Sequence, residues 1–120
     1  MEIALKFENK TKDMASSKEY LNFILEQLSE LNEINYKSMM GEYIIYYQDK
    51  IIGGIYDDRF LVKPTKSALK MMPHAKMELP YENAKKMILV DNLENKIFLK
   101  KLFEAMFDEL PEKIVKKKKK

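Results

Sequence analysis

The run from Met39 to Pro64 constrains the chain more than any other segment. It reads Met-Met-Gly-Glu-Tyr-Ile-Ile-Tyr-Tyr-Gln-Asp-Lys-Ile-Ile-Gly-Gly-Ile-Tyr-Asp-Asp-Arg-Phe-Leu-Val-Lys-Pro, three β-branched and aromatic stretches broken by two short polar pairs. Such residues favour pleated, half-buried strands, and connections this short join only antiparallel neighbours. The spacing predicts strands over 43–48, 51–56 and 59–63, with Asp49-Lys50 and Asp57-Asp58 between them. Strand side chains alternate, so Phe60 and Val62 are expected on one side of the last strand and Arg59, Leu61 and Lys63 on the other. Pro64, without an amide hydrogen, stops the ladder. Upstream, Tyr36 opens an extended segment expected to bend or bulge at Gly41.

Helical spacing flanks this meander. Tyr20, Leu21, Ile24, Leu25, Leu28 and Leu31 recur on one face, and Ser16 with Glu19 reads as a capping box opening a helix of about four turns. Thr65 is placed to cap a short helix over 66–72, which Pro73 ends. Two short strands follow, over 77–79 and 87–90. Asp91 with Glu94 resembles a second capping pair, before a helix running to about Glu109. Phe98, Leu99, Leu102, Phe103, Met106, Phe107 and Leu110 line one side of it. The order helix, three strands, helix, two strands, helix predicts a two-layer α+β domain with helices segregated on an antiparallel sheet.

Charge excludes several roles. The chain of 120 residues carries 22 basic and 19 acidic side chains, but Lys116, Lys117, Lys118, Lys119 and Lys120 supply five of the positives. Without them the remainder is slightly acidic, so attraction to nucleic acid is concentrated in the tail. Consecutive lysines repel and resist packing, and a disordered basic tail over 112–120 is expected, able to neutralise a few phosphates weakly and without sequence preference. Arg59 is the sole arginine, which weighs against bidentate reading of bases. There is no cysteine, and the N-terminal residues lack the apolar run of a signal peptide, so a cytoplasmic protein is expected, with no membrane partner. Residues 1–13 read as a leader ahead of a single domain over 14–111.

At Met39, Gly41, Tyr43, Tyr46, Lys50, Asp57, Asp58, Arg59 and Lys63, and onward through Pro64-Thr65 and Leu79-Pro80-Tyr81, the chain resembles the TfoX/Sxy N-terminal domain family. The resemblance covers Met14 to Pro111. It implies an α-β(3)-α-β(2)-α fold, secretion-chaperone-like in outline, and a link to regulation of natural DNA competence. It supplies no catalytic residues to carry over, and a standalone domain is expected, without the helical C-terminal domain of full-length competence regulators. Two departures stand in the first hairpin: Ile44 replaces a frequent glycine, and Asp49 replaces the usual turn glycine.

Candidate chemistry is sparse. Asp57 and Asp58 are a carboxylate pair, but a hydrated hairpin turn is the simpler reading because no third acid or histidine is spaced beside them. His74, the only histidine, has no partner for a zinc site. Gly53-Gly54 lies inside a strand pattern and reads as tight packing or a bulge instead of a phosphate cradle. Tyr43, Tyr46, Tyr47 and Tyr56 offer a stacking platform for single strands or, more simply, cross-strand packing. No cofactor or metal is expected. The reading is a noncatalytic regulatory or protein-interaction domain, monomer or homodimer, that binds an unidentified regulatory protein. Its candidate partner surface comprises Asp57, Asp58, Arg59, Phe98 and Phe107, with the lysine tail as an alternative route to nucleic acid.

Overall fold

Four antiparallel strands build the meander. In the computed structural model, which describes residues 16–112, helix α1 (Lys18–Gln27) precedes β1 (Ile34–Met39), β2 (Glu42–Tyr47), β3 (Lys50–Ile55) and β4 (Phe60–Val62). Helix α2 (Lys66–Met71), β5 (Met77–Glu78), β6 (Met87–Leu89) and α3 (Lys96–Met106) follow, and a 3₁₀ turn over Phe107–Glu109 extends α3. The strands form one six-stranded sheet in the order β1-β2-β3-β4-β6-β5, with every neighbouring pair antiparallel. The α+β class stands. The leader over 1–13 and Lys116–Lys120 lie outside the described residues.

The segment beginning at Tyr36 is a full strand, adding one to the five strands expected. Its turn at Met40-Gly41 is a two-residue hairpin, with Met39 paired to Glu42 and positive φ at both central residues (52° and 85°). Positive φ at both positions is the requirement of the hairpin turns that match strand twist. The same holds at Gln48-Asp49 (49° and 69°) and Asp57-Asp58 (55° and 54°). The first polar turn is therefore Gln48-Asp49, one residue earlier than Asp49-Lys50, and it keeps this geometry without the usual glycine. Lys50 belongs to β3, opposite Tyr47.

A register slip decides which residues face the helices. Ile45 pairs with Gly53 and Tyr46 with Ile51, leaving Ile52 as an extra residue on β3. The bulge reverses the alternation, so Ile52 and Ile55, three residues apart, both lie in the core at 0 % exposure. Leu21, Ile24 and Leu28 of the first helical segment and Leu99, Leu102, Phe103 and Met106 of α3 close on Ile45, Tyr47, Phe60, Val62, Ile88 and Val90. Ala68 of α2 joins them. Leu61 is equally buried but stands apart from this cluster, on the opposite side of β4 as the alternation predicts.

Two of the three helix caps are shifted from their expected positions. Ser17, not Ser16, caps α1, its hydroxyl accepting from the Tyr20 amide at 3.1 Å. The helix has 10 residues, nearer three turns than four. Asn95 caps α3 through the Phe98 amide at 3.0 Å, so Asp91 and Glu94 lie in the preceding loop, which Leu93 fastens to the core. Thr65 caps α2 as expected, accepting from the Ala68 amide at 3.1 Å.

Gly53 sits where β3 and β4 approach too closely for any side chain. A Cβ there would stand 2.1 Å from the Leu61 carbonyl oxygen and 2.8 Å from the Val62 Cα, both fixed by the ladder. Gly53→Ala should destabilise the domain by about 3 kcal/mol or more through forced backbone displacement. Gly41→Ala, which meets the ordinary cost of positive φ, should lose only about 1 kcal/mol. Urea unfolding midpoints check the ranking.

Candidate functional site

The helices cover one side of the sheet only. Register places Ile44 and Tyr46 of β2, Ile51, Gly54 and then Tyr56, Leu61 and Lys63, and Met87 and Leu89 of β6 on the other side, away from the core cluster. Two hollows open there. One, of about 740 Å³, is lined by Asn35, Tyr46, Ile51, Lys63 and Pro111 among others. The second, of about 650 Å³, runs past Ile44, Tyr56, Pro64, Tyr81 and Met87. They share Ile51 and Lys63, which joins them across the sheet.

Aromatic packing shapes this face. A Cβ on Gly54 would lie 2.7 Å from the Tyr56 hydroxyl and 2.8 Å from the Tyr43 carbonyl oxygen. Glycine thus lets the Tyr56 ring lie down on the sheet, 6.1 Å from the Tyr81 ring centre. Tyr56 is 6 % exposed, and burial, then the charges of Glu42 and Tyr81, push its hydroxyl up to about 12. The four tyrosines of the meander therefore divide. Tyr43 and Tyr47 pack with the core, while Tyr46 and Tyr56 belong to the open face.

Three charged residues of the meander fasten elements together. Asp58 accepts from the Ser17 amide at 2.8 Å and the Ser17 hydroxyl at 3.3 Å, while its own amide donates to the Ser16 hydroxyl at 3.1 Å. This ties the β3–β4 hairpin to the start of α1, where a carboxylate also meets the positive end of the helix dipole. Arg59 donates to the Tyr56 carbonyl at 3.0 Å, pairs with Glu78 at 2.8 Å and reaches the Pro80 carbonyl at 3.4 Å, fixing the hairpin to β5. Lys50 donates to the Phe107 carbonyl at 3.1 Å with its ammonium 4.0 Å above the Phe107 ring, which meets Tyr47 edge-on. A cation over an aromatic face at the end of a helix is favourable on both counts.

Lys63 behaves differently. Among the described residues its ammonium has no hydrogen-bond or ion-pair partner, and burial holds it below the ordinary lysine range. Alternation along the last strand places it with Leu61 and Arg59, and it shares the first hollow with Asp49 and Glu112.

The five residues expected to form a partner surface are not brought together. Asp57 is exposed at the hairpin tip, whereas Asp58 and Arg59 are engaged within the chain. Phe98 and Phe107 are partly buried against the core, Phe107 beside Lys50 at the far end of β3 from the Asp57-Asp58 turn. A six-residue strand puts the two ends of β3 roughly 17 Å apart. No group of three His, Asp or Glu side chains suited to a metal ion occurs among the described residues, and His74 is exposed. No described helix is long and apolar enough to cross a membrane.

A further tie joins α2 to the end of the described chain. Glu109 accepts from the Ser67 hydroxyl at 2.6 Å and amide at 2.9 Å, and these bonds hold its carboxyl below the usual carboxylate range. A lowered folded pKa contributes stability that is present above the unfolded value and lost as pH falls through the folded one. The stability difference between the protein and Glu109→Gln should therefore be present at pH 7 and disappear on acidification below the ordinary glutamate pKa of 4.5, read from urea midpoints. Asp57→Ala and Asp58→Ala share nearly the same φ (55° and 54°), which cancels the turn contribution. Asp58→Ala should cost about 1–2 kcal/mol more, the measure of its bonds to Ser17, by the same assay.

The family model described as the TfoX N-terminal domain matches residues 26–119. The match begins inside α1 and runs into the lysine tail. A protein of Spirochaeta aurantia described as an uncharacterized 12.7 kDa protein in the trpE 5′ region is 29 % identical over 80 residues, covering 67 % of this chain and 70 % of the relative. No solved structure matches the chain.

Proposed function

Because this chain belongs to the TfoX N-terminal domain family, we propose that it is a noncatalytic regulatory domain that acts by binding another protein in the cytoplasm. The observation that carries this reading is the one-sided sheet. Helices cover the centre of one face, leaving Tyr36 and Met77 exposed on its outer strands, and the other face keeps Ile51 40 % and Tyr81 57 % exposed around joined hollows. Apolar surface kept open beside polar rims is characteristic of interaction sites. The family's link to natural DNA competence supplies the regulatory sense, with transcription control as the process served.

The charged residues of the meander support a binding role over catalysis. Asp58, Arg59 and Lys50 each spend their hydrogen bonds within the fold. Affinity capture from native cytosol with the full chain should retain one protein in stoichiometric amount through a moderate salt wash. Reproducible turnover in a substrate screen, with no specific protein retained, would contradict the proposal.

A further inference from the structure

We propose that the helix-free face of the sheet is a trough for an extended acidic segment of a partner protein, its apolar side chains lying on Ile44, Ile51 and Met87 and one carboxylate pairing with Lys63. This rests on the protein-binding reading above and names the surface and the chemistry of what it takes.

The shape fits an extended chain. The joined hollows cross from Asn35 on β1, over Tyr46 and Ile51, to Lys63 beyond β4 and Met87 on β6. Four neighbouring-strand spacings span roughly 19 Å, the length of about six extended residues. Along such a segment alternate side chains face the trough, giving both apolar and charged contacts in one pass.

The charge fits an acidic one. The second hollow is lined by Lys63, Lys85 and Lys86 and by no carboxylate. Of the acids on this side, Asp49 and Glu112 line the first hollow, Glu78 is paired with Arg59, and Glu42 lies within the field of Arg59 and Tyr56, so the carboxylate-free lysine cluster is that of the second hollow. Lys63 occupies the shared centre with no partner of its own among the described residues, and only burial acts on its titration, in the direction of losing its charge. A carboxylate laid beside it would restore the charged form and satisfy its donors.

Aliphatic occupants suit the floor better than nucleobases. Tyr56 is 6 % exposed, its ring held between Gly54 and Tyr81, and leaves little free face for stacking. Ile44, Ile51, Pro64 and Met87 also line the hollow and offer no stacking surface, which leaves Tyr81 as its one well-exposed ring.

The test uses the full chain and a fluorescein-labelled hexapeptide of alternating aspartate and leucine. A serine–leucine hexapeptide and oligothymidylate serve as comparisons. The acidic peptide should bind with saturable anisotropy and shift the methyl signals of Ile44, Ile51 and Met87, but not those of Ile45 and Ile52. Lys63→Gln should weaken it at least tenfold, about 1.4 kcal/mol, and Lys63→Arg by no more than about threefold. Ile51→Ser, at an exposed position, should weaken it as well, and circular dichroism checks that each variant is folded. Deleting Lys116–Lys120 should leave the methyl shifts intact.

Loss of binding on that deletion, with Lys63→Gln unchanged, would overturn the trough in favour of tail electrostatics. Tighter binding of oligothymidylate at the same methyls would overturn it in favour of nucleic acid, and a concentration-dependent dimer burying them in favour of a second copy. If the captured cytosolic protein binds Lys63→Gln undiminished, the trough fails while the regulatory reading stands. If the unaltered chain captures nothing and instead turns over a substrate, the regulatory reading itself fails.

Discussion

Everything on both sides of the sheet depends on the single-residue slip between β2 and β3. Strand alternation alone would set Ile52 and Ile55 on opposite faces, and one of two large apolar side chains would leave the core. With Ile52 as the extra residue, both meet the helices, and Ile51, Gly54 and Tyr56 are gathered on the other side. The same slip therefore creates the core and the open face. Glycine makes it feasible: at Gly53 the backbones of β3 and β4 touch, and at Gly54 the Tyr56 ring takes the space of a side chain.

The elements around this sheet are held by ties from its hairpin ends. Asp58 fixes the start of α1, Arg59 fixes β5 and Pro80, Lys50 fixes the end of α3, and Glu109 returns to the start of α2. Each joins residues distant in sequence through a charge-assisted bond, the stronger class of hydrogen bond. Their shared consequence is that Lys50, Asp58 and Arg59 of the meander are committed to architecture.

Much of this was legible in the chain. β-branched and aromatic runs separated by polar pairs gave β2, β3 and β4, and the apolar stripe from Phe98 to Leu110 gave α3 with its buried face correctly assigned. β1 was harder to read because it is an edge strand with five of its six residues exposed, so its side chains carry no inward–outward pattern. The bulge was invisible because periodicity assumes an unbroken register. Ser16 and Ser17 present the same hydroxyl to a capping rule, and only the docking of Asp58 decides that Ser17 caps while Ser16 reaches the hairpin. That Asp58 and Arg59 are engaged within the chain was hidden for a related reason: exposed polar residues at a turn look free until their tertiary bonds are known. The open face was foreshadowed only by Leu61 and Lys63 alternating with Phe60 and Val62.

Solvent paramagnetic relaxation of the isoleucine methyls tests the central claim most directly, because it reads which side of the sheet each residue occupies. The account predicts strong broadening of Ile51 and appreciable broadening of Ile44 by a soluble paramagnetic agent, with Ile45, Ile52 and Ile55 protected in the same spectrum. Protection of Ile51 together with broadening of Ile52 would mean that the register runs without the slip, and would remove both the core and the open face as described.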